Sequence, residues 1–127
     1  MNDRKKVLII DDEENFAYIV KLNLEETGSY EVAVEPDPTR ALSAARAVNP
    51  DVILLDVIMP VRDGFEVLEA LKKDKRTMSI PVIMLTAVGT DQAKIKASEK
   101  YSEDYITKPV TTEALREKIE NVLKRRR

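Results

Sequence analysis

The sequence predicts an α/β domain, a doubly wound parallel sheet of five strands interleaved with five helices, and three observations predict it. Val7–Ile10, Val52–Leu55 and Val82–Leu85 are short, unbroken apolar runs, as strands buried on both faces should be. The stretches between them carry apolar residues at helical spacing. Strand and helix signals alternate along the whole chain, the order that places helices on both faces of a parallel sheet.

The first strand, Val7–Ile10, is followed by a helix with Phe16, Ile19, Val20 and Leu24 expected inward and Gly28 positioned to end it. Tyr30, Val32 and Val34 alternate with polar neighbours, which predicts a second strand near an edge. Asp37-Pro38 pairs a capping side chain with a first-turn proline and opens the next helix. Ala41, Leu42, Ala45 and Val48 line that helix until Asn49-Pro50 stops it. After the third strand, a loop through Pro60 and Gly64 leads to a helix with Phe65, Leu68 and Leu71 inward. Pro81 opens the fourth strand, and a weaker helix spans about Asp91 to Lys100. A short strand near Asp104–Thr107 precedes a last helix, from about Thr112, that buries Leu115, Ile119, Val122 and Leu123.

At 127 residues, 43% apolar and 35% charged, the chain suits one globular domain, expected over residues 1–127. No apolar run approaches the roughly 18 residues of a membrane span, and the polar start does not read as a secretory signal. The lack of cysteine rules out disulfide and thiolate chemistry and accords with a cytoplasmic location. The lack of histidine excludes an imidazole base, so any metal must be held by oxygen: Mg²⁺, Mn²⁺ or Ca²⁺ rather than zinc. Net charge is −2; without the terminal Lys124-Arg125-Arg126-Arg127 it is 17 basic against 23 acidic residues, or −6, so direct nucleic-acid binding is not expected.

Chemistry-bearing residues gather at the strand ends. The first strand runs into Asp11-Asp12, the third into Asp56, the fourth into Thr86 and the fifth into Lys108-Pro109. In open parallel sheets, ligands bind at that edge. Singly, each has an ordinary structural reading as a cap or a turn. Jointly they are three acids that would repel one another unless a cation held them, with an ammonium and a hydroxyl beside them. Mg²⁺ suits such a set, Lys108 can neutralise the remaining charge and pair with a phosphoryl group, and Thr86 can donate to it. A carboxylate there can act as a nucleophile toward phosphorus.

These segments, VLIIDDEE, DVILLDVIMPVRDGFEVLEAL, IPVIMLTA and EDYITKPV, resemble the receiver domain of bacterial two-component response regulators over essentially the whole chain. The resemblance implies a flavodoxin-like sheet of order 2-1-3-4-5 and a switch that accepts a phosphoryl group on Asp56 from a sensor histidine kinase or phosphotransfer protein. It implies Mg²⁺ (Mn²⁺ as an alternative) on Asp12, on Asp11 largely through water, on Asp56 and on the Ile58 carbonyl. Lys108 pairs with the phosphoryl group and precedes a cis bond to Pro109, while Thr86 and Tyr105 move as the switch. Output would pass through the face of the fourth helix, fifth strand and fifth helix to a downstream protein or fused domain. The resemblance also allows a phosphorylation-linked dimer, and it implies a phosphoacceptor rather than an enzyme, with at most self-phosphorylation and slow self-dephosphorylation.

Some positions depart from the family pattern. Ile58 and Val88 are apolar where polar residues would help to place an attacking water, so a long-lived acyl phosphate is expected. Tyr101-Ser102 stands where Gly-Ala is common, and Arg62 replaces an apolar residue. Rival functions fit less well. A haloacid-dehalogenase-type phosphatase needs a second acid where Ile58 stands, and a flavin carrier's phosphate would meet Asp11-Asp12-Glu13-Glu14. A nucleotide switch would need a glycine-rich phosphate loop that the chain lacks.

Overall fold

The computed structural model describes residues 3–59, 61–87, 89–99 and 101–125. Its elements are β1 (Lys5–Ile10), α1 (Glu14–Glu26), β2 (Tyr30–Glu35), a 3₁₀ turn (Pro38–Arg40), α2 (Ala41–Val48), β3 (Val52–Asp56), α3 (Gly64–Lys73), β4 (Val82–Thr86), α4 (Gln92–Ser98), β5 (Asp104–Thr107) and α5 (Thr112–Arg125). The strands form one parallel sheet in the order β2-β1-β3-β4-β5, with β2 at an edge as its alternation predicts. No helix among the described residues is long and apolar enough to cross a membrane.

Period-two alternation along the central strands divides the interior into two cores. Val52 and Leu54 of β3 face a layer closed by Ala17, Val20 and Leu24 of α1 and Leu115, Ile119 and Val122 of α5. Ile53 and Leu55 face the other side, against Ala41 and Ala45 of α2 and Val67, Leu68 and Leu71 of α3. Both sets are fully apolar because both faces are covered, hence the unbroken runs in the sequence.

The termini follow local chemistry. Gly28 closes α1 at φ +82°, and Asn49 ends α2 in the left-handed region before Pro50. Asp63 and Glu66 form a reciprocal capping box at the start of α3. Asp37 caps as expected, accepting from the Thr39 N–H at 2.9 Å, but what it caps is a 3₁₀ turn that precedes α2. The fourth helix is shorter than the sequence suggested, Gln92–Ser98, and Lys100 lies outside the described residues.

One inward assignment is corrected: Ile19 is 56% exposed. The buried stripe of α1 runs through Ala17, Val20 and Leu24, so the helix is rotated toward its smallest apolar residue and Ile19 falls on the flank with Tyr18 and Leu22. Alanine contributes little to a hydrophobic pattern, yet its size lets α1 lie close to the sheet.

The β3–α3 loop holds a strained residue. Val61 has φ +69°, a region that a β-branched side chain rarely enters, and it is 92% exposed, so packing does not offset the cost. Replacing it with Asn, which tolerates this conformation, is expected to stabilise the fold by about 1 kcal/mol. Urea denaturation checks this, and an unchanged midpoint would show that the loop relaxes around valine.

Candidate functional site at the carboxyl edge of the sheet

Parallel pairing brings the carboxyl ends of β1, β3, β4 and β5 to one edge, and the expected residues meet there. Asp11 and Asp12 follow β1, Asp56 and Thr86 end β3 and β4, and Lys108 follows β5. One carboxylate oxygen from each of Asp11, Asp12 and Asp56 lies within 4.8 Å of the others. Asp11 and Asp56 are buried, Asp12 partly so.

Lys108 reaches into this cluster. Its Nζ lies 2.9 Å from Asp11 Oδ2, 2.7 Å from Glu13 Oε1 and 3.5 Å from Asp56 Oδ1, and it sits 4.3 Å from the centre of the Phe16 ring. Its peptide bond to Pro109 is cis, as expected, and its backbone N–H donates to the Thr86 carbonyl at 2.7 Å. Burial works to lower the Lys108 pKa, but its hydrogen bonds to the Glu13 and Asp11 carboxylates and the Asp11 and Asp56 charges outweigh it and hold the ammonium above its ordinary value.

The Asp56 pKa is also raised, which for a carboxylate favours the neutral form. Burial first, and then the Asp11 charge, raise its pKa from 3.8 to about 7, against the opposing pull of Lys108. The donors present do not satisfy the cluster. Asp12 Oδ1 and Asp56 Oδ2 are buried without a hydrogen-bond partner. Buried carboxylate oxygens rarely remain so, and a divalent cation with oxygen ligands fits such a pair. The residue set can therefore hold a metal.

Other expected residues occupy defined places. The Thr86 hydroxyl is engaged with β5, 3.4 Å from the Ile106 carbonyl and 3.2 Å from Thr107 Oγ1. Tyr105 is 43% exposed. The Ile58 N–H donates to Asp56 Oδ1 at 3.4 Å, and its side chain is turned largely to solvent. Val88 lies outside the described residues.

Three residues that the sequence did not single out also shape the site. Glu13 and Phe16 hold Lys108. Gly64 seats α3 against the end of β3: its N–H donates to the Val57 carbonyl at 2.7 Å, and an added Cβ would lie 2.2 Å from the Asp56 carbonyl oxygen. A glycine in the first turn of a helix, where it costs helix propensity, was the available hint.

The family profile described as "Response regulator receiver domain" matches residues 7–120. The DNA-binding dual master transcriptional regulator RpaA of Synechocystis is 39% identical over 94% of this chain and 49% of its own length. The alkaline phosphatase synthesis transcriptional regulatory protein PhoP of Bacillus subtilis is 36% identical over 95% of this chain and 49% of its own length. The chain thus spans about half the length of these relatives. The Francisella response regulator 1452 receiver domain superposes with a TM-score of 0.84 at 34% identity, covering 98% of this chain and 100% of that one. The Vibrio cholerae chemotaxis protein CheY4 gives 0.84 at 31% identity, covering 94% and 98%.

Proposed function

Because the chain belongs to the receiver domain family of two-component response regulators, we propose that it is a phosphorylation-dependent switch with Asp56 as its acceptor. The observation that carries this reading is the buried Asp56 Oδ2, without a hydrogen-bond partner, in a carboxylate cluster beside one ammonium. These 127 residues contain no histidine, so the phosphohistidine donor lies outside them, on a sensor histidine kinase or phosphotransfer protein in our reading. A carboxylate oxygen of Asp56 attacks phosphorus, the P–N bond breaks, its electron pair leaves with the imidazole, and an acyl phosphate remains.

Asp11, Asp12, Asp56 and the Ile58 carbonyl are the residues that would hold Mg²⁺, or Mn²⁺ in its place. When bound, the cation supplies charge neutralisation for the transferring group. Lys108 pairs with the phosphoryl oxygens, and Thr86 turns its hydroxyl from β5 to donate to another. Tyr105, exposed in this conformation, moves inward with Thr86, so that the phosphoryl group selects one of two states. The α4–β5–α5 face passes that change to a downstream protein or fused module, and a phosphorylation-linked dimer is one form that output can take. The Synechocystis and Bacillus subtilis relatives named above are transcriptional regulators. This acidic fold has no direct role on nucleic acid in our reading. Residues 1–127 act as one cytoplasmic receiver domain, a phosphoacceptor whose own chemistry is confined to taking up and slowly losing one phosphoryl group.

Incubation with Mg²⁺ and acetyl phosphate, read by intact mass, tests this reading. One phosphoryl adduct is expected on the wild type and none on Asp56→Asn; an adduct on both, or on neither, removes Asp56 from the role. The wild-type adduct should decay slowly, because the apolar Ile58 side chain offers an attacking water no hydrogen bond. A half-life of seconds would contradict that part.

A further inference from the structure

We infer that Glu13 is a positioning residue that holds the Lys108 ammonium on the α1 side of the site and opposes its transfer to the phosphoryl group. The inference rests on Asp56 being the phosphoacceptor and adds a residue that tunes how readily it is loaded. Glu13 occupies the N-cap of α1, yet its side chain makes no capping hydrogen bond. Short side chains serve that position, and a glutamate gains little there. Its carboxylate instead reaches Lys108 at 2.7 Å, closer than Asp11 at 2.9 Å and Asp56 at 3.5 Å.

The backbone beneath it is fixed, since the Glu13 N–H donates to Asp11 Oδ1 at 2.9 Å. The side chain itself is 62% exposed, so it can swing away at little packing cost. The Phe16 ring, 4.3 Å from the ammonium, gives a face that tolerates small displacements of the charge. Lys108 is therefore shared unequally: two carboxylates hold it near α1, and the acceptor holds it least.

Loading Asp56 reverses that balance. The phosphoryl group adds negative charge beside the acceptor, and the ammonium must move toward it. Glu13 opposes this twice, by competing for Lys108 and by adding a further negative charge near an incoming anion. A surface-exposed carboxylate exerts a modest effect, so removing its charge should tighten binding of a phosphoryl-like anion by about threefold to tenfold.

Beryllofluoride with Mg²⁺, which settles on a carboxylate oxygen as a phosphoryl analogue, supplies the test, with affinity measured by fluorine NMR. Glu13→Gln is expected to bind it about threefold to tenfold more tightly than the wild type. Glu14→Gln changes net charge equally at the next residue and is expected to stay within about twofold. Equal or weaker binding by Glu13→Gln overturns the inference, as does the same gain in Glu14→Gln. Binding that persists in Asp56→Asn, or is absent from the wild type, defeats the acceptor assignment instead. In that case the crystal structure of Glu13→Gln decides the matter: Lys108 closing on Asp56 from the present 3.5 Å keeps the positioning role, and Lys108 staying in place ends it.

Discussion

Gly64→Ala is expected to destabilise the protein by about 3 kcal/mol or more and to abolish phosphoryl acceptance at Asp56. In an ordinary helix the same change would help, since alanine gains roughly 1 kcal/mol over glycine in helix propensity. Here the added methyl would lie 2.2 Å from the Asp56 carbonyl oxygen and 2.7 Å from Val57 Cα. Both are backbone atoms of the segment that carries Asp56, so a side-chain rotation cannot relieve the overlap. Either α3 lifts off the end of β3, breaking the 2.7 Å bond from the Gly64 N–H to the Val57 carbonyl, or the strand end shifts and takes Asp56 out of the cluster. Lifting α3 also disturbs Leu68 and Leu71, which are buried in the core shared with β3. Urea denaturation and the acetyl phosphate assay measure the two effects together. A variant as stable as the wild type would mean that α3 is not seated as described.

Gly64 is visible in the sequence as a loop residue, but the close approach that requires it is not. The three central strands were legible because burial on both faces forces an unbroken apolar run. The cluster was legible because parallel strands bring their carboxyl ends together, whatever the distance in sequence. Periodicity carried most of the helices and failed at Ile19, where the small Ala17 set the orientation of α1 without standing out in the pattern. The constraint on Gly64 and the role of Glu13 depend on particular atoms across space. Glu13 meets a lysine 95 residues away, and nothing in the local pattern marks the pair. Thr86 and Tyr105 were legible as residues but not as conformations, since the contact of the Thr86 hydroxyl with Thr107 and the exposure of the Tyr105 ring are set by packing across β4 and β5 and not by local sequence.

Without metal, the folded state should become less stable as pH rises from about 4 to about 8, and Asp56→Asn should remove most of that slope. The Asp56 pKa is raised from 3.8 to about 7, chiefly by burial and then by the Asp11 charge. A carboxyl whose folded value is raised binds its proton more tightly in the native state. Its contribution is therefore fully present below the unfolded value and is lost as pH passes through the folded one. At about 1.4 kcal/mol per pKa unit, that span corresponds to an effect on the order of a few kcal/mol. Glu25 acts in the opposite sense, because the Val32 N–H holds its pKa below the ordinary value, so its contribution fades in acid instead. Comparing wild type with Asp56→Asn across pH cancels such terms, and the variant should be the more stable protein at pH 8. Mg²⁺ should reverse the ranking, since it binds the ionised carboxylates and stabilises by mass action, most strongly where Asp56 has already lost its proton. Thermal melts of both proteins at pH 5 and pH 8, with and without Mg²⁺, give the answer. If the metal-free wild type held its melting temperature at pH 8 as well as Asp56→Asn did, the buried acids would already be compensated within the protein, and the case for a cation at this edge would lose its physical basis.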